Sequence, residues 1–178
     1  MLGISGVAFA ATAVNLGTAG SFAVLGGSTV TNTGPTVVNG DLGLSPGTSV
    51  TGFPPGIVNG VQHVTDAMAA QAQADLVTAY DAAAGQSTGV TTISGDLGGQ
   101  TLAPGLYKSS SALGLTGTVT LDGQGSPDAV FIFQISSALT TASASRVALI
   151  KGAQACNVFW QIGSSATLGT NSTFVGNI

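Results

Sequence analysis

The sequence contains very little charge, and what it lacks limits its partners. Only 6% of its 178 residues are charged, against roughly 25% in ordinary soluble domains. Glutamate is absent, and three basic residues with a net charge of −4 exclude the Lys/Arg patch that nucleic-acid binding needs. A single cysteine excludes an internal disulfide. No apolar run reaches the ~18 residues expected of a membrane span.

Low charge does not mean disorder here, because the sequence is strongly apolar. Hydrophobic residues make up 44% of the chain and the mean hydropathy is +0.48, so a packed core is expected. The polar surface must then be built from Thr, Ser, Asn, Gln and backbone groups. Residues 1–13 are mainly apolar and small, with the small-x-small patterns 8–10 and 11–13, and are predicted to be the remnant of a signal peptide. We therefore expect secretion, and a single domain over residues 14–178.

One stretch predicts a helix. Between residues 61 and 84 the apolar residues recur in steps of three or four, with an N-cap expected at Thr65–Asp66 and a stop at Gly85. The helix is predicted at about residues 64–84. Its predicted stripe consists of Val61, Val64, Met68, Ala72, Leu76, Ala79, Tyr80 and Ala83.

An internal repeat flanks the predicted helix. The phrase Val-Asn-Gly-Asp-Leu-Gly at 38–43 returns as Ile-Ser-Gly-Asp-Leu-Gly at 93–98, and a Pro-Gly pair follows each copy. The surrounding chain consists of short strands and turns that recur at about 25–27 residues in the second half, which is typical of a three-sided β-solenoid. Since the sequence stops at Ile178 within what reads as a strand, we expect at least one further coil beyond it.

Threonine and serine alternate with small or apolar residues on several of these strands. Such a face is flat, stiff at χ1 and uncharged, and could order water into a regular layer. A crystalline polysaccharide would be the other partner, although its binders usually expose rows of aromatic residues. The predicted face consists of Thr116, Thr118, Thr120, Thr141, Ser143, Ser145, Thr170 and Ser172, extended by Thr29, Thr31 and Thr33 if the N-terminal strands complete it.

Conventional catalytic and metal-binding patterns are weak. His63 is the single histidine and reads as a surface or capping residue, and Cys156 reads as a buried, inert thiol. Asp41 and Asp96 of the repeat could form a glycosidase pair, but Asx-type turns explain an aspartate beside glycine without catalysis. The loop 122–128 resembles a calcium loop but lacks alternating oxygen ligands, so a plain turn is favoured.

Several segments resemble the DUF3494 family of secreted microbial ice-binding proteins. The resemblance covers residues 14–178 and is carried by residues 15–25, 29–35, 70–76, 104–107, 129–133 and 152–161 and by the two Gly-Asp-Leu-Gly turns. It implies a mainly β fold, a discontinuous right-handed β-helix of three faces with one long α-helix packed alongside. It also implies binding to ice planes through one flat face. The family's Thr-Ala/Gly-x-Thr/Asn pattern is kept in part at 116–119, 141–144 and 168–171.

The sequence thus predicts a non-enzymatic, secreted ice-binding protein. We expect it to act as a monomer, without a cofactor or metal, and to inhibit ice growth and recrystallisation. Two alternatives stay open at this point: a secreted adhesin that holds ice or glycan, and a polysaccharide-active enzyme that uses Asp41 and Asp96.

Overall fold

The computed structural model describes residues 11–178, which form two compact units. One unit comprises Asn15–Asp81, and the other comprises Ala82–Ile178 together with the described residues 11–14. The boundary falls within the single long helix, α1 (Ala67–Gly85). Between residues 11 and 178 the fold is mainly β with one α-helix, as the sequence predicts.

Parallel strands in three small sheets make up the 15–81 unit. The sheets have the orders β1-β4-β7, β2-β5 and β3-β6. Paired residues of β2-β5, β3-β6 and β4-β7 are 20 residues apart along the chain, as with Thr29 and Ser49, whereas β1 pairs with β4 at 18–19 residues across a register shift. The strands are β1 (Phe22–Gly26), β2 (Thr29–Thr31), β3 (Val37–Val38), β4 (Asp41–Leu44), β5 (Ser49–Thr51), β6 (Ile57–Val58) and β7 (Gln62–Val64), preceded by a 3-10 helix at Gly17–Ser21.

The second unit is a three-faced parallel β-helix. The chain visits three sheets in turn, with the orders β8-β11-β14-β17, β9-β12-β15-β18 and β10-β13-β16. The last two coils repeat after 27 residues, so that Leu139 pairs with Ala166 and Ser143 lies beside Thr170. The predicted solenoid spacing is thereby confirmed. The strands are β8 (Val90–Thr92), β9 (Gly95–Asp96), β10 (Thr101–Leu102), β11 (Gly105–Ser109), β12 (Leu113–Leu115), β13 (Thr118–Asp122), β14 (Phe131–Ile135), β15 (Leu139–Thr141), β16 (Arg146–Ile150), β17 (Val158–Ile162) and β18 (Ala166–Thr167).

Aromatic rings stack along the core of this β-helix. Tyr107, Phe133 and Trp160 are in register on neighbouring strands, with ring centroids 5.3 Å and 4.0 Å apart, and Phe174 continues the row at 4.9 Å. Offset aromatic pairs add ~0.5–1.5 kcal/mol beyond the burial of their area. In-register pairing therefore stacks aromatic residues at equivalent positions of successive coils, and this row forms part of the core.

Helix α1 begins later than the sequence predicts. Residues 62–64 form β7, and Asp66 is the N-cap, because its Oδ1 accepts the Ala69 N–H at 2.9 Å. The predicted stripe is partly wrong: Val61, Met68 and Tyr80 are exposed, whereas the buried positions are Ala69, Ala72, Ala79 and Ala83. Small residues face inwards because an alanine surface lets the helix approach the strands closely. Gln73 donates to the Gly26 carbonyl at 2.6 Å, and the Thr18 N–H and hydroxyl both donate to Asp75 at 2.7 Å.

The predicted processed segment lies mostly outside the described residues. Residues 1–10 are not described, and the boundary at residue 13 stays a prediction. Ala11 and Val14 are buried. The Thr12 backbone pairs with the Gln86 side chain through two hydrogen bonds of 2.9 Å and 2.7 Å. Residues 11–14 are therefore part of the folded unit.

Gln134 closes the carboxyl end of α1. It is 3% exposed in the otherwise apolar β14, and its Nε2 lies 2.8 Å from the Ala83 and Gln86 carbonyls and 3.2 Å from the Ala84 carbonyl. The last carbonyls of a helix have no intrahelical donor. A single buried amide thus supplies the donors that this helix end needs.

We predict that Gln134→Leu lowers the free energy of unfolding by about 1–3 kcal/mol, because buried carbonyls lose their donor. Urea unfolding followed by circular dichroism measures the change. Gln161→Leu is the matched control, since Gln161 is in register with Gln134 on the next strand and its side chain makes no hydrogen bond among residues 11–178. Equal losses in the two variants would contradict the role of Gln134 at the helix end.

Candidate functional site

The sheet β10-β13-β16 presents threonines outwards in register. Thr118 is exposed and Thr120 half-buried, while the intervening Val119 and Leu121 are fully buried, as the alternation predicts. Parallel pairing builds two columns across the coils: Thr101–Thr120–Ala148 and Thr118–Arg146–Thr173. Neighbouring members of a column are separated by the ~4.8 Å strand spacing.

A second group of hydroxyls lines the turn between β15 and β16 and its counterpart in the next coil. The Ser143 Oγ and Thr170 Oγ1 atoms are 3.0 Å apart, and both residues are exposed. In the preceding coil, Thr116 is exposed at the same corner of the β-helix. We call Thr101, Thr116, Thr118, Thr120, Ser143, Thr170 and Thr173 the hydroxyl surface of this unit.

Two residues that were predicted to lie on the exposed face, Thr141 and Ser145, point inwards instead. Thr141 is 3% exposed and Ser145 is 1% exposed. Strand β15 ends at Thr141 with Thr140 as its outward residue, and the chain then turns through Ala144 at φ +59°, which breaks the alternation assumed between residues 139 and 145. The Thr141 Oγ1 accepts the Gly169 N–H at 2.9 Å and thereby joins two coils.

Ser172 has a structural role as well. It is half-buried, and its hydroxyl donates to the Gly169 carbonyl at 2.7 Å within the turn. The prediction missed Thr101 and Thr173 of the hydroxyl surface, and also the exposed Thr140 and Thr167, which lie in the neighbouring sheet β9-β12-β15-β18. Thr140 pairs with Thr167 and Arg146 with Thr173 at the 27-residue spacing, so the sequence repeat carried a signal that could have found Thr167 and Thr173.

The 15–81 unit has a hydroxyl surface of its own. Thr29 and Thr31 are exposed on β2, as predicted, and pair with Ser49 and Thr51 of β5; the Thr51 Oγ1 donates to the Thr31 Oγ1 at 3.4 Å. Ser49 and Thr51 were missed, although the 20-residue spacing points to them. Thr33 is exposed but lies outside the strands. These four strand residues are all uncharged.

The two repeat aspartates serve the backbone. The Asp41 Oδ1 accepts the Val61 N–H at 2.8 Å, and the Asp96 Oδ1 accepts the N–H groups of Gly98 at 2.6 Å and Thr116 at 3.0 Å. The bonds to Val61 and Thr116 each reach a residue 20 positions along. The hydrogen bond from Thr116, followed by that from Gly98, holds the pKa of Asp96 below its usual range. The turn interpretation of these residues thus has a specific bonding basis.

Lys151 occupies one oxygen of the Asp122 carboxylate. The Lys151 Nζ lies 2.6 Å from Oδ2, and the Gln124 N–H donates to Oδ1 at 2.8 Å. These two contacts, the lysine first, lower the pKa of Asp122. Among residues 11–178, no group of three or more His, Cys, Asp or Glu side chains is placed to hold a metal ion. The Gln124 N–H contact with Asp122 closes the turn at the start of the loop 122–128.

His63 and Cys156 each have a local structural setting. The His63 Nδ1 is 2.7 Å from Asp66 Oδ2, and the ring packs edge-on against Phe22 at 5.6 Å, so this residue does sit at the helix entrance. The prediction that Cys156 is buried is wrong. Ala155–Asn157 forms a 3-10 turn before β17 begins at Val158, and the turn leaves the thiol exposed.

Stacked parallel coils, with outward hydroxyls in register on β10 and β13, define a β-helical protein. The chain belongs to the family described as Ice-binding-like, whose profile matches residues 24–178. No helix between residues 11 and 178 combines the length and the apolar character that crossing a bilayer requires.

Similar proteins from other organisms support this family membership. The chain is 56% identical over 169 residues to an ice-binding protein of Nostoc sp. (strain HG1), covering 95% of this chain and 62% of that protein. It is 38% identical to an ice-binding protein of Flavobacterium frigoris (strain PS1), covering 93% and 64%. The chain thus spans less than two thirds of the length of these two relatives.

Solved structures of similar proteins share the fold. An ice binding protein from an Antarctic biological consortium superposes with a TM-score of 0.92 at 54% identity, covering 93% of this chain and 76% of that one. An ice-binding protein from the Antarctic ascomycete Antarctomyces psychrotrophicus gives 0.90 at 46% identity, covering 93% and 82%. The DUF3494 domain of Shewanella frigidimarina ice-binding protein 1 gives 0.83 at 32%, covering 93% and 83%, which confirms the resemblance seen in the sequence.

We predict that Asp96→Asn weakens the pH dependence of stability in acid. A carboxyl whose pKa is lowered on folding contributes stability above its unfolded pKa and loses it as the pH falls through the folded value. The variant should therefore lose stability relative to the parent at pH 6, and this difference should shrink towards pH 3. Urea midpoints at the two pH values measure it.

Asp128→Asn is the control for this experiment, because the Asp128 carboxylate accepts no hydrogen bond among residues 11–178. A gap between Asp96→Asn and the parent that is as large at pH 3 as at pH 6 would contradict the assigned bonding.

Proposed function

We propose that this chain binds ice through its hydroxyl surface and thereby slows ice growth and recrystallisation. The observation that carries the proposal is the register of exposed hydroxyls across successive coils, seen in Thr101–Thr120, in Thr118 and Thr173, and in Ser143–Thr170. Membership of the Ice-binding-like family and relatives named as ice-binding proteins support it.

The physics of the surface suits a solid made of water. Each threonine offers a hydroxyl that can both donate and accept, and a methyl that holds water only weakly. Because Thr is stiff at χ1 and the parallel ladder fixes the backbone, the groups are ordered before binding and little entropy is lost on contact. Individually weak contacts, repeated at a fixed spacing, then add up against one crystal plane.

The two alternative functions, a polysaccharide-active enzyme and an adhesin, have no comparable support. Asp41 and Asp96 are both engaged in backbone hydrogen bonds, which leaves the enzyme hypothesis without a free carboxylate pair. Nothing in residues 11–178 specifically favours an adhesin. We therefore propose a non-enzymatic, monomeric protein whose partner is ice, acting outside the cell as the composition and the apolar segment at 1–13 suggest.

We predict that Thr118→Tyr lowers recrystallisation inhibition by about ten-fold or more, a loss of ~1.4 kcal/mol in adsorption. The ring would stand above a plane of threonines and hold neighbouring hydroxyls away from the crystal. Inhibition is measured in a sucrose splat assay over a dilution series.

Thr78→Tyr is the matched control, since Thr78 is exposed on helix α1. Thermal unfolding should show both variants folded. If Thr118→Tyr stays as active as Thr78→Tyr, the wrong surface has been chosen; if the parent protein neither shapes nor inhibits ice, the function itself is wrong.

We predict that, if residues 1–13 include a cleaved leader, the mature protein begins at Ala11. Cleavage after the 8–10 pattern keeps the buried Ala11 and the Thr12–Gln86 hydrogen bonds, whereas cleavage after the 11–13 pattern removes both. Mass spectrometry of protein secreted from the intact gene gives the first residue. Chains that begin at Ala11 and at Val14 should differ in melting temperature, the first being higher, and a mature Val14 terminus would contradict this.

A further inference from the structure

The middle coil interrupts the hydroxyl surface. On β13 the outward residues are Thr118 and Thr120, but their partners on β16 are Arg146 and Ala148. Beyond Arg146 the column returns to threonine at Thr173. One charged residue therefore lies between two threonines of this column, whereas the charges at the other end of the sheet, Asp122 and Lys151, neutralise each other as an ion pair.

Arg146 has no structural task that would explain its position. It is exposed, and its guanidinium makes no ion pair or hydrogen bond within the part of the chain that the structure describes. Lys151, in contrast, is paired with Asp122 at 2.6 Å. Without a protein partner the guanidinium is left to water, and no contact among residues 11–178 holds the Arg146 side chain flat against the sheet.

We propose that Arg146 limits the affinity of this surface for ice, an inference that rests on the proposed function. Close contact between the sheet and a crystal plane requires the guanidinium either to give up its water, which is costly for a charge without a partner, or to swing aside. The surface thus works as two patches, on β10–β13 and around Ser143–Thr170–Thr173, that Arg146 keeps from acting as one.

The test uses two substitutions at this position and one elsewhere. Arg146→Thr makes the column from Thr118 to Thr173 an unbroken row of three threonines, and Arg146→Ala removes the charge and bulk without adding a hydroxyl. Lys108→Thr is the matched control, because Lys108 is an exposed cation on β11, in a different sheet. Both substitutions to threonine change the formal net charge from −4 by the same single unit.

We expect Arg146→Thr to lower the concentration needed for half-maximal recrystallisation inhibition by about two-fold or more, Arg146→Ala to lower it by less, and Lys108→Thr to leave it unchanged. Circular dichroism and melting temperature check that each variant is folded. If Arg146→Thr does not fold, Arg146→Ala tests the proposal by itself.

An active parent with both Arg146 variants equal to it or weaker would overturn the proposal while leaving the proposed function intact. A gain in Lys108→Thr as large as that in Arg146→Thr would also overturn it, because the effect would then come from net charge. An inactive parent would overturn the proposed function, and the role of Arg146 with it.

Discussion

The in-register parallel hydrogen-bond ladder is the constraint on which the rest of this structure depends. Each coil is bonded to the next at fixed partners, 20 residues apart in most of the 15–81 unit and 27 apart in the last coils of the second unit. Because like positions then lie directly above one another, an apolar residue that suits one coil suits its neighbour. The core aromatics of β11, β14 and β17 and the outward threonines of β10 and β13 are two products of this single rule, on two different sheets.

Scarcity of charge follows from the same constraint. In a stack with ~4.8 Å between strands, a charged residue repeated in register would face its own copy and repel it, whereas a hydroxyl can donate to its copy, as Thr51 does to Thr31. Two of the seven aspartates lie within α1, and the other five lie at turns or at the ends of strands and of the helix. Asp96 and Asp41 each bind an N–H of a later segment, and Asp66 begins the helix, its pKa lowered chiefly by the hydrogen bond from the Ala69 N–H.

Much of the architecture could be predicted, because it is written in local patterns. The mainly β fold, the existence of one helix, the solenoid spacing and the outward Thr118 and Thr120 all follow from periodicities that a few neighbouring residues reveal. The prediction failed at the turns. Thr141 and Ser145 were expected to face solvent and are buried, and Cys156 was expected to be buried and is exposed. Helix α1 buries alanines and not the larger Met68 and Tyr80, since close approach mattered more than hydrophobic size.

The sequence by itself determined the chemistry of the surface: many hydroxyls, almost no charge, and strands stiff enough to hold them. Only the tertiary structure decided which hydroxyls share one surface and what lies between them. Within a strand the side-chain direction alternates strictly, but every turn resets that phase, and the next strand takes its phase from hydrogen bonds to a distant coil. For that reason Thr140 and not Thr141 faces outwards. Arg146 lies between Thr118 and Thr173, a position that no local sequence pattern predicts.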